Sequence, residues 1–290
     1  MYIIPLLLRL FARLPLPLCH ALGALAGRLL YLCRGRERRV TERNLALCYP
    51  QLSDQKRQQL ARRSLIETAK WAFEVGAVWF RGARWRQRRI VEFRNLNWFT
   101  QAAADKERGL LLLMPHYGNW ELAGMWAAEQ APATCIYRTP RRAALDPLVR
   151  RARLAAPQST LVPATARGVL AVLRALKRGE MTIILPDQVP PGEGGVHAEF
   201  FGVPAYTQTL VHSLIQKTRP QVLLIYARRI GARFELGFMR PEEGIYSTDA
   251  QESARAMNRT IEKLCALDPA QYQWEYKRFK HQADGRDYYE

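Results

Sequence analysis

His116 and Glu121 stand five positions apart in HYGNWE, directly after the apolar run GLLLLMP and before LAGMWAAEQ. An imidazole and a carboxylate at this spacing are the raw material of a general base and the group that orients it. On one continuous helix the two side chains would diverge by about 140°. They converge only if His116 lies in a loop and Glu121 in the first turn of the following helix. Gly118 permits the turn and Asn119 is a favourable N-cap, and the helix macrodipole favours a carboxylate at Glu121. In that arrangement Glu121 accepts from one ring nitrogen and leaves the other basic. With no serine or cysteine nucleophile beside it, His116 is expected to act on a substrate hydroxyl. By itself the pattern is weak: a histidine closing a strand and a glutamate on a helix surface produce the same string.

The elements that must position this pair are legible from the period of the apolar residues. Short apolar runs occur at 109–114, 133–137, 181–185 and 221–227, and helical stretches at 119–129, 144–154, 166–178 and 206–218 alternate with them. That alternation predicts an α/β fold with a mostly parallel central sheet flanked by helices on both faces. His116 then sits at the carboxyl end of a strand, where open sheets of this kind bind ligands. RFELGF (233–238) is expected to close an edge, and 249–267 to form a late amphipathic helix. The longest helical signal is 53–80, capped by Ser53 or Asp54 and striped by Leu60, Leu65, Ala69 and Phe73. No internal repeat, low-complexity tract or linker interrupts the chain.

Lys+Arg total 44 against 26 Asp+Glu, a net charge of +18, and 36 of the 44 are arginine. Such a balance points to an anionic partner: nucleic acid, an acidic membrane surface, or an anionic substrate or carrier. The aromatics sit in apolar contexts and no nucleic-acid-binding motif is present, which argues against the first. Five scattered cysteines without a C-x-x-C pair argue against a disulfide framework or zinc site. Residues 1–33 are apolar but broken by Arg9, Arg13, Pro15 and Pro17, and the longest uncharged run, Leu14 to Gly27, has 14 residues, short of the roughly 20 that span a bilayer. Arg34, Arg36, Arg38 and Arg39 follow, a placement that favours an anionic cytoplasmic leaflet. The expectation is a membrane anchor over 1–33 that inserts into or lies in the bilayer, with a catalytic domain over 34–290; a buried helix of a soluble protein is the other reading.

Several blocks together resemble a known family. H-x-x-x-x-D/E after an apolar strand resembles the glycerolipid acyltransferases, and PHYGNWELAG resembles their late lipid A biosynthesis branch, the lauroyl/myristoyl type. RRVTERNLALCYPQLS (38–53), YRTPRRAALDPLVRRAR (137–153), ARGVLAVLRALKRGE with ILPDQVPPGEGGVHAEFFGVPAYT (166–207) and PAQYQWEYKRFK (269–280) resemble further blocks of that family in the same order. The resemblance implies a glycerolipid-acyltransferase-like fold. It also implies transfer of an acyl chain from acyl-acyl carrier protein to a hydroxyl of a lipid A precursor, in the inner membrane with the body on the cytoplasmic side. No metal or bound cofactor is required. Anionic lipids join the carrier protein and the phosphorylated acceptor as partners.

Arg153 matches the family's arginine associated with the dyad, but Ala152 stands where a glycine is usual, so Arg151 is the alternative, and a solvated basic helix face explains both equally well. Asp187, after the strand ILP, either orients a catalytic group or starts a turn. Arg138, Arg151, Asn119 and Gln188 are candidate substrate-binding residues. PPGEGG and FFGVPA (190–205) are expected to gate an acyl channel or to pack in the core, and His197 is expected to be exposed. Two competing functions remain at this level: the same chemistry on an ornithine-type lipid, glycolipid or lysophospholipid, and a non-catalytic basic membrane-associated binding protein.

Overall fold

Four consecutive leucines, Leu110–Leu113, form strand β2 with every side chain buried. An uninterrupted apolar run can be satisfied this way only where both faces of a sheet are covered. The computed structural model, which describes residues 3–140, 145–156 and 158–290, places β2 at the centre of a seven-stranded sheet. Its other strands are β1 (Ile90–Arg94), β3 (Ala133–Tyr137), β4 (Ser159–Pro163), β5 (Met181–Ile184), β8 (Gln221–Ile230) and β9 (Arg233–Met239), in the order β1-β9-β8-β2-β5-β3-β4. All pairings are parallel except β8 with β9. Leu111 and Leu113 pack toward α9 (Ala166–Lys177), α10 (Leu210–Thr218) and α11 (Ala250–Cys265). Leu110 and Leu112 pack on the opposite face with α6 (Leu96–Ala104) and α7 (Trp120–Gln130). The alternation of Cβ directions along a strand accounts for the split.

The expected α/β architecture is therefore present, with four local corrections. The stretch 206–218 is not one helix: its first residues belong to β7 (Val203–Gln208), which pairs with β6 (Gly195–Phe200) in a separate antiparallel hairpin. The hairpin contains most of the segment expected to gate an acyl channel, and Phe200 is buried in the core with Tyr272 and Phe279. β9 is not an edge, because β1 pairs outside it in parallel, and Arg94 of β1 and Arg228 of β8 both reach its buried Glu235. β4 was unforeseen because it is a short edge strand ending in a proline. Of the helix expected at 144–154, residue 144 lies outside the described residues, as does the segment 141–144 of the RTPRRAA block; α8 spans Asp146–Arg153.

The N-terminal third is helical: α1 (Ile3–Arg13), α2 (Leu16–Leu32), α3 (Arg36–Cys48), α4 (Asp54–Phe80) and α5 (Gly82–Arg89). α4 begins as expected, with Ser53 Oγ accepting from Lys56 N. α1 and α2 lie directly on it. A Cβ on Gly27 would stand 2.4 Å from Ile66 Cα, and one on Gly76 would stand 2.2 Å from Leu8 O, so the backbones touch where side chains are missing. Leu16 and Cys19 are fully buried in this seam. Among the described residues no single helix is long and apolar enough to cross a membrane; α2 and α3 pass on length and composition only as a pair bent by 81°. Removing residues 1–32 should uncover the packed face of α4 and lower the melting temperature sharply. A truncated chain that stays monomeric with the full-length melting temperature would show that α1 and α2 are dispensable for the fold.

Candidate active site

The loop between β2 and α7 is held from three sides. Gly118 has φ +57, and a Cβ there would meet Ala227 O at 2.1 Å, so only glycine lets the loop lie against β8. Gly118 N donates to Gln271 O at 2.9 Å and Asn119 N donates to Ala227 O at 2.8 Å. Asn119 caps α7 as expected, its Oδ1 accepting from Leu122 N at 3.0 Å. Its Nδ2 donates to Glu74 Oε2 at 2.8 Å, and the side chain is fully buried. Asn119 therefore braces the loop and does not face a substrate, because both ends of its amide are occupied inside the protein.

Beneath the loop Glu74 and Arg229 form a buried ion pair. Glu74 Oε1 accepts from Arg229 Nε at 2.6 Å and lies 2.5 Å from His20 Nε2 of α2. Arg229 also reaches Glu67 at 2.9 Å and the Gly118 carbonyl at 3.1 Å. Burial alone would raise the Glu74 carboxyl, but the Arg229 charge and the His20 and Arg229 hydrogen bonds outweigh it and hold the group down from 4.5 to about 2.

His116 is oriented by Asp187, not by Glu121. Asp187 Oδ1 lies 2.8 Å from His116 Nδ1, and Oδ2 accepts from the His116 backbone N–H at 2.8 Å. Asp187 is buried; against the cost of burial, the His116 ring and these hydrogen bonds hold its carboxyl below the usual carboxylate range. Parallel pairing of β2 with β5 brings the two residues together, since each follows its strand at the same sheet edge. With Nδ1 donating to Asp187, His116 Nε2 is the basic nitrogen, and Gln188 Nε2 lies 3.3 Å from it. His116 also lies edge-on to Trp120 at 5.0 Å between centroids.

Glu121 does sit in the first turn of α7, but its carboxylate is taken by other donors. Arg153 Nη2 donates to Oε1 at 2.5 Å and Trp79 Nε1 donates to Oε2 at 2.9 Å. The Glu121 charge holds Arg153 above its ordinary value, against the opposing effect of burial. Arg153 is thus the arginine that pairs with Glu121, while Arg151 and Arg138 are exposed. Glu121 and Arg153 form the polar end of an apolar cavity between α7 and the sheet, lined by Met114, Gly124, Met125, Ala128, Ile183 and Leu185. The sequence reading missed Glu74, Arg229, His20 and Trp79, whose partners lie 42 to 155 positions away. A helical glutamate at an inward-facing position was the one local signal.

Because Glu74 is depressed, its stabilisation is complete above about 4.5 and lost as pH falls toward 2. Glu74→Gln should destabilise the fold by about 3 kcal/mol, the low end for an uncompensated buried arginine because Glu67 remains. It should also flatten the acid limb of the stability profile in that window. Unchanged urea midpoints at pH 7 and at pH 3 would refute the ion pair's role.

The family of bacterial lipid A biosynthesis acyltransferases matches residues 1–281. The chain is 28% identical to the lipid A biosynthesis lauroyltransferase of Escherichia coli (strain K12), over 95% of this chain and 90% of that protein. It is 26% identical to the lipid A biosynthesis palmitoleoyltransferase of the same organism, over 93% and 88%, and 24% identical to its myristoyltransferase, over 93% and 82%. Since the match runs through the helical N-terminal third, the strand-end histidine and both carboxylate pairs alike, the chain belongs to the bacterial lipid A biosynthesis acyltransferases.

Proposed function

We propose that the protein moves a fatty acyl chain from an acyl-acyl carrier protein thioester to a hydroxyl of a lipid A precursor, with His116 as general base. The observation that carries this reading is an imidazole fixed through Nδ1 by buried Asp187, its Nε2 turned away from that carboxylate, on the sheet edge that borders the apolar cavity. Nε2 takes the acceptor hydroxyl's proton as its oxygen bonds to the thioester carbonyl carbon. Collapse of the tetrahedral intermediate breaks the carbon–sulfur bond, and the imidazolium returns the proton to the thiolate. The cavity suits the donor's alkyl chain. At its polar end Glu121 holds Arg153 as a fixed cation for the oxyanion that develops on the carbonyl. Exposed Arg138 and Arg151 suit the acceptor's phosphates.

Attachment to an anionic inner-membrane surface fits the N-terminal helices lying in the plane of the bilayer. α2 buries one face on α4 and leaves Leu18, Leu25, Leu29 and Leu32 exposed on the other, continuing Leu6 and Leu10 of α1. Arg9, Arg13 and Arg28 flank this row in exposed positions, as in an interfacial helix. The catalytic body then faces the cytoplasm.

His116→Ala should reduce transfer by about 10²- to 10⁴-fold without loss of fold. Asp187→Asn should cost a comparable factor, and Glu121→Gln should weaken donor turnover through Arg153. Folded His116→Ala with near-normal activity in a mass-spectrometric transfer assay would remove the general base. For attachment, Leu25→Glu with Leu29→Glu should lower affinity for vesicles containing phosphatidylglycerol by at least about 100-fold, each leucine contributing about 1.5 kcal/mol or more. Binding equal to wild type would place the contact surface elsewhere.

A further inference from the structure

His116 can be approached from either face of the sheet. The apolar cavity lies on the α7 face, where Met114, Met125, Ala128 and Ile183 pack. The segment 272–279 lies on the other face: Tyr272, Trp274 and Phe279 pack there with α11 and with Leu45 and Cys48 of α3. His116 Nε2 faces this second approach, because Gln188 Nε2 lies 3.3 Å from it and donates to Gln273 Oε1 at 3.3 Å. With the donor chain in the cavity, an acceptor hydroxyl reaches Nε2 past Gln273. The rest of the acceptor then lies along the residues that follow.

Those residues lead to a basic groove. Asn44 of α3 holds the chain there, its Nδ2 donating to Trp274 O at 2.6 Å and to Tyr276 O at 2.8 Å. The groove, of about 480 Å³, is lined by Arg36, Arg39 and Arg43 of α3 together with Lys277, Tyr288 and Tyr289. Spacings of three and four put the arginines on one face of the helix, and all three are exposed. Lys277 is four positions past Gln273, at most about 14 Å of chain. Two of the guanidiniums are fixed by backbone carbonyls: Arg39 Nη1 donates to Arg34 O at 3.1 Å, and Arg43 Nε donates to Tyr288 O at 2.5 Å. Among the described residues Arg39, Arg43 and Lys277 form no ion pair; Arg36 lies 3.8 Å from Glu37, and Glu290 is the acidic residue of the lining. A concave site of this size, walled by guanidinium forks with N–H groups to spare, fits a phosphate. A folded acidic protein needs a broader face, about 800 Å² on each partner.

We infer that this groove binds a phosphate of the lipid acceptor's headgroup and so seats the acceptor with its hydroxyl at His116. The inference rests on acyl transfer at His116, as proposed above. It adds a phosphate site apart from Arg138, which follows β3, and Arg151 of α8.

The test uses the full-length protein in neutral detergent, a phosphorylated lipid A precursor, and the same lipid after phosphatase treatment. Wild type should use the phosphorylated acceptor better. Arg36→Gln with Arg39→Gln should cut that preference about tenfold, the low end for hydrogen bonds to a charged group. The loss should appear in KM for the acceptor, with kcat and KM for the donor near wild type. Arg39→Lys alone, which keeps the charge without the fork, should fall between the two. Binding of the phosphorylated lipid in the absence of donor should weaken by the same factor. That measurement does not depend on transfer, so a failure of the His116 chemistry is told apart from a failure of the groove. Unchanged preference and unchanged binding would overturn the proposal. A rise in KM for the acyl carrier donor alone would make the groove a docking face for the carrier. Weaker binding to phosphatidylglycerol vesicles with an unchanged acceptor preference would assign it to bilayer phosphates. Either result would overturn the acceptor site.

Discussion

The Glu74–Arg229 ion pair sets the position of everything else in the site. Both side chains are almost wholly removed from solvent, and such a pair persists only when hydrogen bonds occupy its remaining donors and acceptors. Those hydrogen bonds come from four different parts of the chain: His20 of α2, Glu67 of α4, Gly118 and Asn119 of the loop between β2 and α7, and Gln271 through the Arg229 backbone. The charge pair thus converts a solvation requirement into a geometric one. The loop that carries His116 cannot drift without leaving a charged group unpaired in the interior.

Above that foundation the site divides its carboxylates between two tasks. Asp187 is spent on the imidazole and Glu121 on a guanidinium, and each pair is internally neutralised when the histidine is protonated. In the proposed mechanism, separating the base's partner from the cation's partner lets proton transfer proceed at one pair while Arg153 stays in place at the polar end of the apolar cavity. A single carboxylate shared between His116 and Arg153 would couple the two, leaving two cations against one anion whenever the histidine gained a proton.

The N-terminal helices connect this chemistry to the surface. His20 sits on the inner face of α2 and bonds to Glu74, while the leucines of the same helix point outward. One helix therefore separates the outward leucine row from the group that braces the His116 loop. Of the excess positive charge, buried Arg86 is paired with Glu129 and buried Arg229 with Glu74 and Glu67, whereas Arg9, Arg28 and Arg36 are exposed and contribute to the field outside the molecule.

The sequence alone was enough for the α/β alternation, the burial of β2, the N-cap at Asn119, the position of Glu121 in the first helical turn, and the family. Each of these rests on residues within a few positions of one another, where period and turn chemistry act directly. The partner of His116 was not legible in the same way. Asp187 and Glu121 are both carboxylates at element ends near the same sheet edge, and only the β2–β5 register, set by pairing 71 residues apart, decides which one reaches the ring. The same holds for Glu74 with Arg229, for the hairpin hidden in an apparently helical stretch, and for the seam of α2 on α4, where glycines let the backbones approach. Local sequence determines what a segment can become, and tertiary structure decides which of several chemically equivalent partners is within reach, because hydrogen bonds and ion pairs act over a few ångströms of space and not along the chain.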